Sequence, residues 1–233
     1  MIRLAAMMPV YNEAERYLEQ VLRHLEIFAD RIVILDDCST DRSGEICRSF
    51  DRVIYYRGKE HLFERDEPRL RRLLWQYTTE LQPQWILAID ADEIFEKRAE
   101  REFPSLLRQH DFNAVDFRIF DFWNGFQYRV DGGWNPWTKH HRMLVQYDPA
   151  LPDRWREPGP HCGRFPLEYY RLPYAFQSDF RVKHFGWISP ADRQRKGEFY
   201  LAKNPSDSHA RSIFSEEIRL EDWVDCKTLP FEA

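Results

Sequence analysis

What this chain lacks narrows it first. No stretch reaches the roughly 18 apolar residues that a membrane-crossing helix needs. The apolar stretch at residues 1–8 stops at Pro9, too short for a span or for the core of a secretory signal. Cysteine is scarce. Cys38, Cys47, Cys162 and Cys226 have neither the paired spacing of a metal site nor the density of a disulfide framework. They read as reduced thiols in a cytoplasmic protein. Positive charge is not in excess: the formal net charge is -5, which argues against a nucleic-acid partner. There is no linker, internal repeat or low-complexity tract to divide the 233 residues, which are enough to bury a substantial core.

What is present is a rhythm of strands and helices. Residues 4–8, 31–35, 53–56 and 85–89 read as strands, the second with β-branched Ile32, Val33 and Ile34 in a row. Between them, residues 13–28 carry Tyr17, Val21, Leu22, Leu25 and Phe28 at helical spacing. Residues 39–50 open on the capping residues Ser39, Thr40 and Asp41, and residues 65–81 set Leu70, Leu73, Leu74, Tyr77 and Leu81 on one side. This alternation predicts parallel βαβ units with right-handed crossovers. The near-continuous apolar runs of the second and fourth strands predict a sheet covered on both faces. A helix over 99–109 and a strand over 114–120 follow. From there to about residue 200 the chain reads as loop-rich and aromatic, and Trp123, Trp134, Trp137, Trp155, Trp187 and Trp223, six of the eight tryptophans, lie in this later part. The expectation is one α/β domain over 1–233. It would have a mostly parallel central sheet flanked by helices, a nucleotide-binding half at 1–95 and a loop-rich acceptor-binding half at 96–233.

Three constellations sit at expected strand ends. Asp90-Ala91-Asp92, with Glu93 beside it, follows the run Trp85-Ile86-Leu87-Ala88-Ile89. Ligands of open α/β sheets bind outside the carboxyl ends of the strands. Acidic groups there repel a naked phosphate, but they hold a divalent cation that in turn holds a diphosphate. Pro9-Val10-Tyr11-Asn12-Glu13 ends the first strand. Pro9 stops the pairing, and Asn12 is suited to cap the next helix. Such a loop either makes a plain turn or wraps a base and ribose. Asp36-Asp37-Cys38-Ser39-Thr40-Asp41 ends the second strand. Capping accounts for Ser39, Thr40 or Asp41, but not for Asp36 and Asp37 as well, and acids at that place bond ribose hydroxyls or a base N–H.

Taken in order, Pro9-Val10-Tyr11-Asn12-Glu13, Val33-Ile34-Leu35-Asp36-Asp37-Cys38-Ser39-Thr40-Asp41 and Ile86-Leu87-Ala88-Ile89-Asp90-Ala91-Asp92-Glu93 resemble the successive signatures of the family 2 glycosyltransferases. The match is specific over about residues 4–95 and loose beyond. The resemblance implies a Rossmann-like GT-A fold. It implies metal-assisted, inverting transfer of a sugar from a nucleotide-diphosphate-sugar donor to a hydroxyl of a glycan or glycolipid acceptor, with Mn²⁺ or Mg²⁺ as cofactor. Donor-binding residues would be Pro9, Tyr11, Asn12, Glu13, Asp36 or Asp37, Asp90, Ala91 and an arginine of the 65–81 helix, Arg72 or Arg71. Asp92 would hold the metal, with Asp90 supporting it or the ribose. His184, in Val182-Lys183-His184-Phe185-Gly186-Trp187, would complete the metal or diphosphate site, imidazole being an accepted ligand. Lys196 and Tyr200 lie on an expected helix within reach of the phosphates.

The chain departs from the family pattern in two places. Leu73-Leu74-Trp75 replaces the small residues after the arginine, and the acidic pair that usually supplies a general base is missing. Base candidates are Asp131, Glu157 and His161. Glu157 is equally placed to pair with Arg154 or Arg156. Trp134 and Trp137, among Gly132, Gly133, Asn135 and Pro136, suit a sugar-acceptor pocket or a lid. The usual setting of relatives, cell-surface polysaccharide or glycolipid assembly, implies peripheral membrane association through the substrate. The stretch 216–233 is suited to packing on a partner in a homodimer. Two rivals stand beside this reading. A sugar-phosphate nucleotidyltransferase would carry a glycine-rich loop where residues 9–13 have no glycine. The other rival is a catalytically idle nucleotide- or carbohydrate-binding protein of the same fold.

Overall fold

The computed structural model describes residues 1–156 and 162–225. The four early apolar runs form strands β1 (Leu4–Val10), β2 (Arg31–Asp36), β3 (Val53–Arg57) and β4 (Trp85–Ala88). Helices α1 (Leu18–Leu25), α2 (Ser43–Arg48) and α3 (Glu67–Thr79) connect them. β1 pairs in parallel with β2 and β4, and β2 with β3. Alternate side chains of a strand point to opposite faces, and both faces here are covered. Leu4, Ala6, Met8 and Val10 pack with Leu18, Val21 and Leu22 of α1. Met7, Val33, Leu35 and Ile86 pack with Leu70, Leu74 and Trp75 of α3. The uninterrupted hydrophobicity of these strands therefore reports two half-cores. α3 starts where its sequence dictates: the Asp66 carboxylate accepts from Arg69 N at 3.1 Å, and Pro68 occupies the first turn.

The later half adds β5 (Glu93–Phe95), α4 (Ala99–Leu106), β6 (Ala114–Asp121), β7 (Gln127–Arg129), β8 (His141–Gln146), β9 (Ala175–His184), α5 (Pro190–Lys203), α6 (Ser208–Ser212) and β10 (Leu220–Asp222). One eight-stranded sheet, ordered β3-β2-β1-β4-β8-β6-β9-β5, runs through both halves, and β7 and β10 pair separately. It is mixed and mostly parallel. β8 enters antiparallel between β4 and β6, β9 runs parallel to β6, and β5 closes the edge antiparallel to β9. Because β2 and β3 lie on one side of β1 and β4 on the other, the strand order reverses between β1 and β4. The carboxyl ends there form the crevice where such sheets bind ligands.

Two differences from the sequence expectations stand out. α1 begins at Leu18, five residues later than the periodicity predicts, and Asn12 does not cap it. Asn12 adopts φ +54°, and the backbone N–H groups of Asn12, Glu13 and Ala14 donate to Ser39 Oγ, Ser43 Oγ and Asp41 Oδ2. These bonds hold the segment as a loop. The second difference is β8 and β9, which lie within the stretch expected to be loops. Their apolar pattern is broken by His141-Arg142 and by Gln177-Ser178-Asp179, so neither gives a continuous run. Among the described residues the cysteines are free, and no helix is long and apolar enough to cross a membrane.

β9 is fastened to the turn after β5 by an ion network. Fully buried Glu96 accepts from Arg181 N, Nε and Nη2 and from Arg98 Nε, all between 2.8 and 3.1 Å. Removing one partner of a buried pair strands the other charge. Glu96→Ala is expected to lower the unfolding free energy by about 3–5 kcal/mol, read as a shift in the urea midpoint with unchanged slope.

Candidate active site

Strand register assembles the site. His184, the last residue of β9, stands opposite Glu93 of β5 and opposite Asp121, the last residue of β6. Phe185 N bonds Asp92 O at 2.9 Å, which ties the end of β9 to the acidic turn after β4. As a result Asp92 Oδ2 lies 3.5 Å from His184 Nε2 and 3.9 Å from Lys196 Nζ. The other ring nitrogen of His184, Nδ1, lies 2.6 Å from Asp121 Oδ1. A carboxylate behind an imidazole fixes the ring and its tautomer, as it does for metal-ligating histidines.

Electrostatics follow from the crowding. Burial works against the Asp92 charge, but His184, Lys196 and Arg16 outweigh it and hold the carboxyl well below its usual range. Burial likewise opposes the imidazolium, yet Asp92 and Asp121 push His184 up to about 10. Glu13 moves the other way. Burial and the nearby Asp92 raise it to about 7, against the pull of Arg16, whose Nε lies 3.0 Å away.

Asp90 diverges from Asp92. Its carboxylate lies 3.1 Å from Arg71 Nη1 and 3.3 Å from Arg164 Nη2, and these cations overcome burial to hold it ionised. Arg164 also makes a two-pronged bond to Glu93, at 2.7 and 2.5 Å. The arginine brought to Asp90 is thus Arg71. The sequence pointed to Arg72 first, but only Arg71 shares the buried face of α3 with Leu70, Leu74 and Trp75, and only Arg71 lines the cleft.

A cleft of about 500 Å³ opens over this ground. Of the residues singled out from sequence, it is lined by Pro9, Tyr11, Glu13, Asp37, Asp90, Ala91, Asp92, His184, Lys196 and Tyr200. Tyr11 is stacked on His61, ring centroids 4.1 Å apart. Asp37 accepts from Leu62 N and Phe63 N at 2.7 and 2.9 Å. Asn12 and Asp36 stand behind the wall. Asn12 Oδ1 accepts from Thr40 N, and Asp36 is sealed by bonds from Ser39 N, Tyr55 Oη and Arg57. Asp131 lies outside the cleft. Its carboxylate holds Arg129 through three bonds and accepts from Arg219 N, so it braces the β7 end rather than facing a substrate. Glu157 and His161 lie outside the described residues. Trp134 is buried, bonded to Ser212 Oγ, and lines the cleft, whereas Trp137 is exposed and does not.

Residues 6–158 match the model of glycosyl transferase family 2. The chain belongs to that family. Two curated relatives, the uncharacterized proteins Mb3815c of Mycobacterium bovis and Rv3786c of Mycobacterium tuberculosis, are each 25% identical over 223 residues. The match covers 88% of this chain and 51% of each relative, so the chain spans about half the length of the curated relatives it matches. Three solved structures share its fold. S. aureus TarS 1-349 has a TM-score of 0.56 at 13% identity, covering 91% of this chain and 69% of that one. The mannosyltransferase PcManGT of Pyrobaculum calidifontis, in complex with GDP-Man and Mn²⁺, has a TM-score of 0.54 at 14% identity, covering 91% and 70%. Glucosyl-3-phosphoglycerate synthase of Mycobacterium tuberculosis, with Mn²⁺ and UDP, has a TM-score of 0.50 at 15% identity, covering 95% and 87%.

Several groups at this site escaped the sequence reading. Arg164 had no local signal, since its partners lie more than 70 positions away. Asp121 did have one, an acid closing a strand, the same sign that marked Asp36. Gly186 is the third. A Cβ there would lie 2.6 Å from both Asp92 Oδ2 and His184 Nε2 and 2.5 Å from Lys196 Nζ. The space between those three polar groups exists because residue 186 has no side chain.

Two tests follow from this geometry. In metal-free protein the His184 ring is expected to titrate near pH 10 by NMR, and Gly186→Ala, by forcing Asp92 and His184 apart, is expected to move that midpoint toward 6.5. An unmoved midpoint would show that the methyl group is absorbed elsewhere. For Glu13 the folded-state value, raised from 4.5 to about 7, means that its contribution is fully present below pH 4.5 and is lost as pH rises through about 7. Glu13→Gln should therefore match the parent in stability at pH 4.5 and exceed it at pH 8 by up to about 3 kcal/mol. Chemical denaturation at the two pH values checks this.

Proposed function

We propose that this family 2 protein transfers a sugar from a nucleoside-diphosphate sugar to an acceptor hydroxyl, with a divalent cation shared between the protein and the donor diphosphate. The observation that carries the reading is the Asp92–His184 pair, 3.5 Å apart, backed by Asp121 and opened by Gly186. Among the described residues no cluster of three or more histidine, cysteine or acidic side chains is gathered to hold a metal by itself. One carboxylate and one oriented imidazole make an incomplete donor set. That is what a cation completed by substrate phosphates requires. Asp92 and His184 would hold Mn²⁺ or Mg²⁺, which would offset the charge that builds on the departing diphosphate. Binding has to displace the His184 proton, so metal affinity should rise with pH.

The remaining residues divide by position. Lys196, with Arg71 and Arg164 around Asp90, surrounds the acidic floor with fixed positive charge for the phosphates. Tyr11, His61, Phe63 and Asp37 lie at the other end of the cleft, where two exposed rings and a stacked pair suit a nucleobase. The structures with bound nucleotides support this reading at the level of the shared fold: TarS has been seen with UDP-GlcNAc and PcManGT with GDP-Man and Mn²⁺. Reaction by single displacement, with inversion at the anomeric carbon, is part of the proposal. So is an acceptor of glycan or glycolipid type.

The test is a thermal-shift series with UDP, GDP, CDP, dTDP and ADP, with and without Mn²⁺. One nucleotide at a hundredfold excess over its Kd should stabilise the fold by about 2.7 kcal/mol, roughly 5–10 °C in Tm, only when Mn²⁺ is present. Asp92→Asn should abolish the response. No shift with any nucleotide would overturn the proposal and favour a fold that has lost its donor.

A further inference from the structure

The described residues place one more group where the transfer needs it. We propose that His141, at the start of β8, takes the proton from the acceptor hydroxyl, and that the acceptor enters through a second cavity of about 450 Å³ that meets the donor cleft at His141. The proposal rests on the glycosyltransferase reading above. The second cavity is within the usual size range of ligand pockets. It shares Glu67, Arg71, Asp90, His141 and Arg164 with the donor cleft, and its far wall is built from Asp116, His140, Arg142, Gly163 and Tyr170.

Among the described residues, the carboxylates around the two cavities are poor candidates for the base. Asp90 is held by Arg71 and Arg164, Glu93 by Arg164, Asp116 by Arg142, and Asp121 by His184. Asp92 faces His184 and Lys196, Glu67 pairs with Arg71, and Asp37 accepts two backbone N–H groups. A carboxylate so engaged already has its oxygens occupied by other donors and is not free to turn toward an acceptor hydroxyl. Glu13, which burial raises to about 7, and the exposed Glu64 line the donor cleft only and do not reach the second cavity.

The described histidines around the two cavities separate as clearly. His61 is bound to Asp37 and His184 to Asp121, while His140 lines only the second cavity. His209 lines only the donor cleft, stacked on Trp134 with ring centroids 4.2 Å apart. His141 lines both cavities, and its ring has no hydrogen-bond or ion-pair partner among the described residues. Burial, Arg164 and Lys139 push it down to about 4, against the opposing pull of Asp121 and Asp116 on β6. The ring is therefore neutral at pH 7 and offers a lone pair. An arriving diphosphate opposes the two cations and raises its basicity toward the working pH.

The step balances. The acceptor oxygen forms its bond to the anomeric carbon as its proton passes to the imidazole. The anomeric C–O bond to the diphosphate breaks, and its electron pair leaves on the nucleoside diphosphate. The imidazolium then returns the proton to solvent.

The experiment uses water as the acceptor. The full chain with Mn²⁺ is given UDP-glucose, UDP-N-acetylglucosamine and GDP-mannose in turn, and release of nucleoside diphosphate is followed for the parent, His141→Gln, His141→Asn and His209→Gln. Thermal shift with the matching nucleoside diphosphate reports donor binding. His141→Gln and His141→Asn are expected to keep the shift while hydrolysis falls about 10²–10⁴-fold, and in a further variant assayed beside them, His141→Ala, added imidazole is expected to restore part of the rate. Unchanged hydrolysis in both variants, or loss only with His209→Gln, overturns the assignment and leaves the glycosyltransferase reading standing. Loss of the nucleotide shift together with the rate makes His141 a residue of fold or donor binding and also overturns it. A parent that shows no thermal shift with any of UDP, GDP, CDP, dTDP and ADP and hydrolyses none of the sugars removes the glycosyltransferase reading and this assignment with it, and a parent that binds only CDP, dTDP or ADP is assayed with the matching nucleotide sugar under the same criteria.

Discussion

The register of β9 between β5 and β6 is the constraint on which the site depends. Asp92, Asp121 and His184 are spread over 92 positions, and they meet because His184 ends β9 opposite Glu93 on one side and Asp121 on the other. A slip of one residue would turn His184 to the other face of the sheet. The Glu96–Arg181 network pins the same pairing three residues back along β9, with a buried carboxylate accepting from both the backbone and the guanidinium of Arg181. Much of the buried charge near the site thus serves alignment. Burying ions costs several kcal/mol each unless they are matched, and here they are matched.

The matching also explains why two neighbouring acids can differ. Asp90 is drawn toward Arg71 and Arg164, and Asp92 toward His184 and Lys196. The acidic turn after β4 therefore presents one carboxylate to an imidazole and one to a pair of guanidiniums. Gly186 keeps the ground between Asp92, His184 and Lys196 open, since any side chain there would meet all three within 2.6 Å. The side of the cleft at the ends of β1 and β2 is fixed differently. Backbone N–H groups of residues 12–14 are satisfied by Ser39, Ser43 and Asp41, which couples the loops after β1 and β2 into one wall. A wall so bonded holds Tyr11 and Asp37 in place before any ligand arrives, and that lowers the cost of ordering them on binding.

The early sheet and its two covering layers were legible in the sequence, because continuous apolar runs and helical periods are local signals and both were strong. The acids at strand ends were legible too. Asp90, Asp92 and Asp37 line the cleft as the end-of-strand rule led one to expect, although Asn12 and Asp36 carry out the neighbouring structural work instead. What stayed illegible was long-range. β8 and β9 did not announce themselves, because strands that carry site residues put polar side chains where a strand pattern needs apolar ones. Arg164 reaches Glu93 and Asp90 across a loop whose local sequence says nothing of either.

The sequence by itself determined the family, the α/β order of the first half and the position of the acidic turn at a strand end. These follow from residue periodicity and from motifs a few residues long. Only the tertiary structure decided which arginine of α3 meets Asp90, that Asp121 stands behind His184, and that His141 lies where two cavities join. Each of these depends on strand register and helix facing. One residue of shift, or 100° of rotation about a helix axis, changes the partner while leaving the local sequence signal the same.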